Sequence, residues 1–217
     1  RSSFAMIPPR PPADQRIHVT EHALEHIRGC GLLPATDRTF AETARSAPLP
    51  IAKSPSRTVL IHPGAGSPRK RWPLSGFREV AVQLAALRLS PELVIGPAEQ
   101  DLLPELACNT AVIHRPQNAV ELLALLRSAA AYIGNDSGVS HLAAWAGLPS
   151  VVIFGPTDPM RWRPRGSSVE IVQPLLDCRP CFETAVENCA TADCLGRITP
   201  GNVMEAFQRV ARRREMF

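Results

Sequence analysis

The sequence predicts an α/β protein with a Rossmann-like, doubly wound parallel sheet, and three observations support this fold class. Short β-rich apolar runs recur between Thr58 and Pro174, and glycine or proline closes most of them. Amphipathic segments of roughly ten to fifteen residues separate these runs, as in successive βαβ units. Such units build a parallel sheet covered by helices on both faces, here with about six strands.

The first part of the chain differs from the rest. Proline accounts for 22 of the 217 residues, and many prolines precede residue 56. Residues 1–13 are typical of a Pro-rich connector, the apolar spacing in Ile17–Gly29 predicts a short amphipathic helix, and 34–56 resembles a loop. We therefore divide the chain into a lead-in and linker, residues 1–56, and a Rossmann-like domain, residues 57–217, with a Cys-rich loop and a C-terminal helix.

The domain opens with the strand TVLIHPG, residues 58–64. A helix is predicted over Ser75–Leu89 with Ser75 as its N-cap, and Thr199 and Pro200 are a typical N-cap and N1 pair for the last helix, which runs to about Arg213. The other predicted elements are strand 92–97, helix 98–107, strand 111–116, helix 119–130, strand 131–136, helix 137–146 with Gly147 as C-cap, and strands 149–155 and 169–174.

Composition excludes several classes of protein. With 45% hydrophobic and 20% charged residues the chain is globular, and its formal net charge of +4 is mild. No apolar run approaches the ~20 residues that span a bilayer, and no secretory signal is visible. Because the chain begins with Arg1 rather than Met, we expect it to be part of a longer protein.

The segment HPGAGSPRKRW, residues 62–72, places two glycines before a basic run. Gly64 and Gly66 let backbone N–H groups approach an anion, Ser67 adds a hydroxyl and Lys70 a charge, which is typical of a diphosphate cradle. The segment lacks the Gly-Lys-Ser/Thr of a Walker loop and the third glycine of the dinucleotide fingerprint. A Pro-Gly turn beside a solvated basic surface remains the structural alternative.

The segment NDSGVSH, residues 135–141, follows a buried strand and opens a helix. Asp136, Ser137 and Gly138 lie at the helix N-terminus, where free N–H groups suit a phosphate. Asp136 as a simple N-cap and His141 as a core histidine are the alternatives. Since both segments end strands at one edge of the sheet, where such folds bind ligands, a nucleotide is favoured.

In these motifs and their order, the sequence resembles the C-terminal half of glycosyltransferase family 9, the heptosyltransferases of lipopolysaccharide core assembly. The resemblance runs from about Ile17 to the end, and its most specific part is YIGNDSGVSHLAAWAGLPSVVIFGPTDP. It also includes GAGSPRKRWP, IGPAEQD and the tail CRPC…CL…ITP. It implies a GT-B architecture, in which the C-terminal Rossmann-like domain holds the nucleotide-sugar donor, usually ADP-heptose, and an N-terminal domain holds a lipid-linked acceptor.

The resemblance also implies roles for individual residues. Glu99 matches an acid near the ribose, although a Glu favoured by a helix N-terminus is the alternative, and Asp136 matches the acid that binds the donor sugar. Relatives often carry Thr at positions 65 and 66, which puts hydroxyl contacts there in doubt. The remaining residues carried over are Ala65, Gly66, Ser67 and Lys70 at the diphosphate, Ser137, Gly138 and His141 around it, Gln117 near the adenine, and Thr157 and Asp158 bordering the cleft.

The implied reaction is inverting transfer of heptose without a required cofactor or a metal in the donor site. The family's candidate base lies in an N-terminal domain whose glycine-rich loop is absent from residues 1–217, so no catalytic residue is assigned and this chain alone should transfer poorly. The implied partners are the donor and, through the N-terminal domain, a lipid-linked saccharide. The implied location is the cytoplasm, with peripheral association at the inner membrane and no nucleic-acid partner.

Six cysteines raise a separate question. Four of them form the pattern C-x2-C-x7-C-x4-C, which suits either a structural zinc site or an unligated loop. The compartment implied by a nucleotide sugar argues against structural disulfides. The four are Cys178, Cys181, Cys189 and Cys194; Cys30 and Cys108 are expected to be ordinary buried thiols.

Two other functions compete with the family interpretation. One is a GT-B transferase or epimerase that uses a UDP-sugar, and the other is a non-catalytic nucleotide- or zinc-binding module. Arg161, Arg163 and Arg165 around Trp162 resemble no nucleic-acid module in their spacing. Ligand-dependent stabilisation would test the first alternative, and metal stoichiometry the second.

Overall fold

The computed structural model describes residues 11, 15–29, 56–106, 112–175, 181 and 194–213. Its helices are α1 (Val19–Gly29), α2 (Leu74–Ala86), α3 (Leu103–Leu106), α4 (Ala119–Ser128), α5 (Gly138–Trp145), α6 (Pro159–Trp162) and α7 (Pro200–Arg213). Its strands are β1 (Thr58–His62), β2 (Ser90–Val94), β3 (Ile113–His114), β4 (Ala131–Asn135), β5 (Ser150–Ile153) and β6 (Val169–Val172). Single 3₁₀ segments lie at Pro68–Lys70 and Pro97–Leu102.

The strands form one six-stranded sheet in the order β3-β2-β1-β4-β5-β6, with every pair parallel. This order confirms the predicted doubly wound fold. The chain starts at β1, moves to one edge and then returns to fill the other, so the order reverses between β1 and β4. His62 lies opposite Gly134 in the register, so the loops that follow β1 and β4 leave the sheet side by side.

Helices cover both faces of the sheet. On one face α2 and α7 pack against alternate residues of the central strands, with Phe77, Val80 and Phe207 at most 2% exposed. On the other face Leu60 and Tyr132 contact the apolar sides of α4 and α5. Because each central strand is buried from both sides, β1, β4 and β5 read as nearly continuous apolar runs.

The helix ends test the capping predictions. Thr199 accepts a hydrogen bond from the Asn202 backbone through Oγ1 at 3.2 Å, so its predicted capping role is confirmed. The predicted N-cap at Ser75 is wrong, because α2 begins at Leu74 and Pro73 occupies the cap position. Proline fixes φ (here −53°) in the range a helix start needs, and no side chain is required there.

The described part of the lead-in packs against the region around α6. Arg161 is 3% exposed and donates to the Pro11 carbonyl at 2.5 Å, while Arg165 pairs with Glu21 of α1. His18 contacts the Arg163 carbonyl through Nε2 at 2.9 Å. The arginines near Trp162 therefore hold this chain's own segment, which removes the buried Arg161 from any nucleic-acid surface. Among the described residues no helix has the length and apolar character needed to cross a bilayer.

Several predictions fall outside the described residues. These concern most of the Pro-rich connector, the loop at 34–55, and the cysteines at 30, 108, 178 and 189.

Candidate functional site

Polar side chains gather where β1, β2, β4 and β5 end, at the carboxyl edge of the sheet. The residues involved are nearly all buried: Asn135, Asp136, Ser137, Thr157, His62 and Glu99 are at most 8% exposed. Buried polar groups at a sheet edge are costly unless they are paired or serve a ligand. The reversal point of the strand order is the usual ligand crevice of such sheets, and these residues line it.

Asp136 lies at the centre of this edge. Its Oδ2 accepts from Lys70 Nζ at 2.9 Å and from Thr157 Oγ1 at 2.8 Å. Both bonds end on the same oxygen, and Oδ1 makes no hydrogen bond with the residues the structure describes. The sequence predicted Lys70, Asp136 and Thr157 for one site, and the structure places the three in contact across 87 residues of chain.

The buried amide of Asn135 fixes the loop that carries Lys70. Its Nδ2 donates to the carbonyls of Pro63 (2.8 Å) and Gly64 (3.3 Å), and its Oδ1 accepts from the Trp72 backbone at 3.0 Å. The two ends of the glycine-rich segment are thus tied to the end of β4 by one side chain. This brace sets the distance between the Lys70 and Asp136 backbones.

Ser137, rather than Asp136, is the N-cap of α5. Its Oγ accepts from the Ser140 backbone at 3.4 Å, which leaves the Asp136 carboxylate to the cleft and removes the alternative that it only caps the helix. A Cβ added at Gly138 would meet nothing within 4 Å, so the first turn of α5 faces open space. A helix N-terminus with open space before it favours an anion.

His141 lies one turn into α5, half-buried and close to the charges of Asp136 and Lys70. Burial lowers the pKa of its imidazole below the usual 6.5, and Lys70 adds to that shift, whereas Asp136 and a bond to the Trp162 backbone oppose it. The ring is therefore a neutral hydrogen-bonding group near pH 7.

Glu99 occupies a slot on the β2 side of the edge. Its Oε2 accepts from the Gly96 backbone at 2.9 Å and lies 3.8 Å from Nε2 of His62. Contact with His62 is the main cause that lowers the pKa of Glu99, and burial only partly offsets it. The carboxylate is therefore ionised near neutral pH, and both of its oxygens are acceptors only.

The glycine-rich segment divides into buried and open parts. Ala65 is 4% exposed and packs inward, whereas Gly66 is exposed and a Cβ there would meet nothing within 4 Å. Ser67 precedes the 3₁₀ turn that carries Lys70, and its side chain makes no capping bond. Backbone groups of Gly66 and Ser67, rather than the Ala65 side chain, are thus available to an anion.

Two predicted residues lie outside this cluster. Gln117 is exposed after β3, where its amide donates to the Arg115 carbonyl and its backbone to Glu121. Asp158 caps α6 through a bond from the Met160 backbone and contacts Arg16 at 3.4 Å. The structure brings neither of them to Asp136 or Glu99.

Sequence reasoning missed His62 and Asn135. His62 was read only as the end of a strand, although a histidine at the last position of a buried strand is itself a signal. Asn135 was treated as part of a motif without a role. An amide that can donate twice and accept once suits the bracing of two chain segments.

The cysteines are described only in part. Arg69 donates to Sγ of Cys181 at 3.5 Å, which brings the Cys-rich loop against the glycine-rich segment. Within the described ranges no group of three or more His, Cys, Asp or Glu side chains is placed to hold a metal ion, but two of the four cysteines lie outside those ranges. The zinc hypothesis stays a prediction.

The fold and this edge define a Rossmann-like domain with polar groups gathered at the reversal of its strand order. The sequence model of glycosyltransferase family 9 (heptosyltransferase) matches residues 33–190, and the chain belongs to this family. It is 27% identical over 181 residues to lipooligosaccharide heptosyltransferase 2 of Campylobacter jejuni serotype O:6, an alignment that covers 74% of this chain and 54% of that protein. The resemblance expected from the motifs is thereby confirmed.

Solved structures agree with the fold. A glycosyltransferase family 9 protein of Veillonella parvula superposes with a TM-score of 0.70 at 17% identity, covering 92% of this chain and 62% of that one. Escherichia coli heptosyltransferase WaaC with ADP gives a TM-score of 0.63 at 21% identity, covering 92% and 58%. The chain thus spans little more than half the length of these proteins.

Proposed function

We propose that this chain is the donor-binding part of an inverting glycosyltransferase that transfers heptose from ADP-heptose to a lipopolysaccharide core acceptor. The observation that carries the proposal is the cluster at the sheet edge. It sets a cation (Lys70) and two acids (Glu99 and Asp136) near open backbone at Gly66 and Gly138. Membership of family 9 and a neighbour solved with ADP support the same nucleotide.

The charges suit each part of such a donor. The diphosphate lies between the glycine-rich segment and the first turn of α5, where Lys70, amide groups and the helix dipole offset its negative charge. Asp136 accepts from sugar hydroxyls through Oδ1, the oxygen that bonds neither Lys70 nor Thr157. Glu99 accepts from the ribose, and Gln117 is the proposed contact for the adenine.

The reaction follows from these positions. An acceptor hydroxyl oxygen attacks the anomeric carbon, the bond from that carbon to the diphosphate oxygen breaks, and the hydroxyl proton passes to a base. Negative charge grows on the leaving diphosphate in the transition state, so Lys70 and the preorganised amides stabilise that state most. The base is proposed to be a carboxylate of an N-terminal domain, and that domain also binds the lipid-linked acceptor. These partners place the protein in the cytoplasm, peripherally at the inner membrane.

The nucleotide is tested by calorimetric and thermal-shift titration of this chain with ADP, UDP, GDP and ADP-heptose. We expect stabilisation by ADP and ADP-heptose that grows with ligand concentration, because these ligands bind the folded state. Lys70→Gln should weaken ADP binding about tenfold or more, since a charge-assisted contact contributes roughly 1.5–3 kcal/mol. The control is Arg78→Gln on the exposed side of α2, which should bind as the parent chain does.

A preference for UDP over ADP would contradict the ADP-sugar assignment and favour the UDP-sugar alternative. If ADP, UDP and GDP bind equally well, the result supports only a diphosphate site that does not distinguish between bases.

A further inference from the structure

The most buried titratable side chain at the sheet edge is His62. It ends β1, is 1% exposed, and stands between the two sides of the site. Its Nδ1 lies 3.4 Å from Ser137 Oγ at the start of α5, and its Nε2 lies 3.8 Å from Glu99 Oε2. One ring therefore contacts the residues proposed for the diphosphate and for the ribose.

The surroundings of Glu99 are shaped to hold this contact. A Cβ on Gly64 would come within 2.3 Å of Glu99 Cγ, and a Cβ on Gly96 within 2.7 Å of Glu99 Oε2. Two positions without side chains thus form the walls of the slot in which the carboxylate lies. The Gly96 amide holds Oε2 from one side, and His62 is the ring that approaches it from another.

Nε2 of His62 is buried and has no hydrogen-bond partner among the described residues, so Glu99 is the group to which it is directed. An unpartnered buried nitrogen is costly, and a small movement of the Glu99 carboxylate toward it would form a direct bond. On the other side, Ser137 Oγ continues through Ser140 to the Tyr132 hydroxyl, which fixes the ring in the sheet.

We propose that His62 is a positioning residue that holds the Glu99 carboxylate in its slot, so that discrimination between ribose and deoxyribose nucleotides depends on Nε2 of His62. This inference rests on the proposed function, because it assumes that a nucleoside diphosphate binds here. His62 itself touches no ligand. Without Nε2, Glu99 loses one of its two holding contacts, and the ribose hydroxyls lose a fixed acceptor.

Two substitutions of His62 test the roles of its two ring nitrogens separately. His62→Asn keeps an amide near the Nδ1 position, next to Ser137, but removes the atom that faces Glu99. His62→Gln is longer and carries its amide to the Nε2 position. His114→Asn is the matched control, since His114 contacts Glu92 on the same sheet at 2.6 Å but lies outside the site.

The measured quantity is the ratio of Kd values for 2′-deoxy-ADP or 3′-deoxy-ADP to that for ADP. We expect this chain and His114→Asn to bind ADP about tenfold or more tightly than at least one of the two deoxynucleotides, because a hydrogen bond to a charged acceptor contributes that much affinity. The ratio should fall to near one in His62→Asn and in Glu99→Gln, and remain close to the parent value in His62→Gln. A purely structural role would weaken all three nucleotides equally and leave the ratio unchanged.

If His62→Asn folds and keeps the Kd ratio of the parent chain, the inference is wrong. If that variant fails to fold, His62→Gln decides instead, because a ratio near one in a folded His62→Gln contradicts the role given to Nε2. If the parent chain binds no ADP, the proposed function fails first. If the chain binds ADP no more tightly than either deoxynucleotide, the nucleotide site remains supported. Only the assignment of Glu99 to the ribose and this inference then fail.

Discussion

The two polar clusters at the sheet edge differ in how firmly they are held. The Lys70–Asp136–Thr157 cluster depends on a long lysine that is 17% exposed and that reaches over from a 3₁₀ turn. The Glu99–His62–Ser137 cluster is buried at the edge of the sheet, with a ring that is 1% exposed and a carboxylate enclosed by two glycines. The first cluster thus depends on a flexible side chain, whereas the second is enclosed on several sides.

This difference assigns the clusters different tasks. Lys70 pairs with Asp136 here, and under the proposed function it turns toward the diphosphate of the donor, which leaves Asp136 to the sugar hydroxyls. A flexible cation can make that exchange. The Glu99 side needs no exchange, because its acceptor is already ionised and in place. Preorganised groups bind at lower cost than groups that must be ordered.

Substitution of Asn135 should have the largest effect, because this residue braces both clusters. In Asn135→Asp a carboxylate would face the Pro63 and Gly64 carbonyls to which the amide now donates. Leaving such buried groups unsatisfied costs about 1–3 kcal/mol each, so the free energy of unfolding should fall by roughly 2–6 kcal/mol for the two carbonyls. Urea denaturation measures it.

The control for Asn135→Asp is Asn202→Asp. Oδ1 of Asn202 accepts two bonds from Thr199 at the exposed start of α7, and a carboxylate can accept both equally well. If the two variants prove equally stable, the brace described for Asn135 is wrong.

A smaller and more selective effect is expected for Asp136→Asn. The charge that holds Lys70 is lost, but the shape of the side chain is kept. We expect about 10–100-fold weaker binding of ADP-heptose, equivalent to roughly 1.5–3 kcal/mol, with ADP affinity within threefold of the parent value. Calorimetric titration with ADP-heptose and with ADP separates the contribution of the sugar to the affinity from that of the nucleotide.

Asp158→Asn serves as the control for Asp136→Asn. It removes a carboxylate that lies outside the Lys70–Asp136–Thr157 cluster, and it leaves an N-cap position that asparagine fills equally well. Should Asp136→Asn weaken ADP and ADP-heptose to the same extent, Asp136 does not act on the sugar.

The smallest expected effect is on the free energy of unfolding as the pH falls, and it occurs in a different pH range for each cluster. Burial lowers the pKa values of His141, beside the first cluster, and of His18 below 6.5, so the unfolded chain takes up protons first as the pH falls. Stability should therefore decrease as the pH falls from about 6.5 through the lowered pKa values. Glu99 also has a lowered pKa; its contribution is complete above about 4.5 and is lost as the pH falls through the folded-state value.

Denaturation from about pH 2.5 to about pH 7.5 checks this order, because the Glu99 contribution is lost only below about pH 4.5. His141→Gln should flatten the decrease below pH 6.5, and Glu99→Gln the decrease at more acidic pH. A profile that neither substitution changes would refute both attributions.

The fold was predictable because each βαβ unit carries its own signal. Apolar runs at β1, β4 and β5 and the Thr199 cap are local patterns, and both follow from the sequence. The order of the strands and the pairing of Lys70 with Asp136 depend on how distant segments meet. The family resemblance placed Lys70 and Asp136 at one donor site, but neither the strand order nor the contact between the two residues was predicted.

The residues that sequence reasoning missed share one physical property. His62 and Asn135 act through contacts between segments more than 35 residues apart, so no local pattern reveals their partners. The cap of α5 illustrates the same limit at short range. Asp136 and Ser137 are both good N-caps, and only the contacts of Asp136 with Lys70 and Thr157 show which of them has another task.

The most direct test of this account is a crystal structure of the chain with ADP. The account predicts the diphosphate between Gly66 and the first turn of α5, with Lys70 Nζ moved from Asp136 to a phosphate oxygen and Glu99 within hydrogen-bond distance of the ribose. A nucleotide bound elsewhere, such as the apolar groove between α2 and β2 lined by Phe77, Ala81 and Leu93, would contradict it. So would ADP at this edge with the Lys70–Asp136 pair intact and Glu99 away from the ribose.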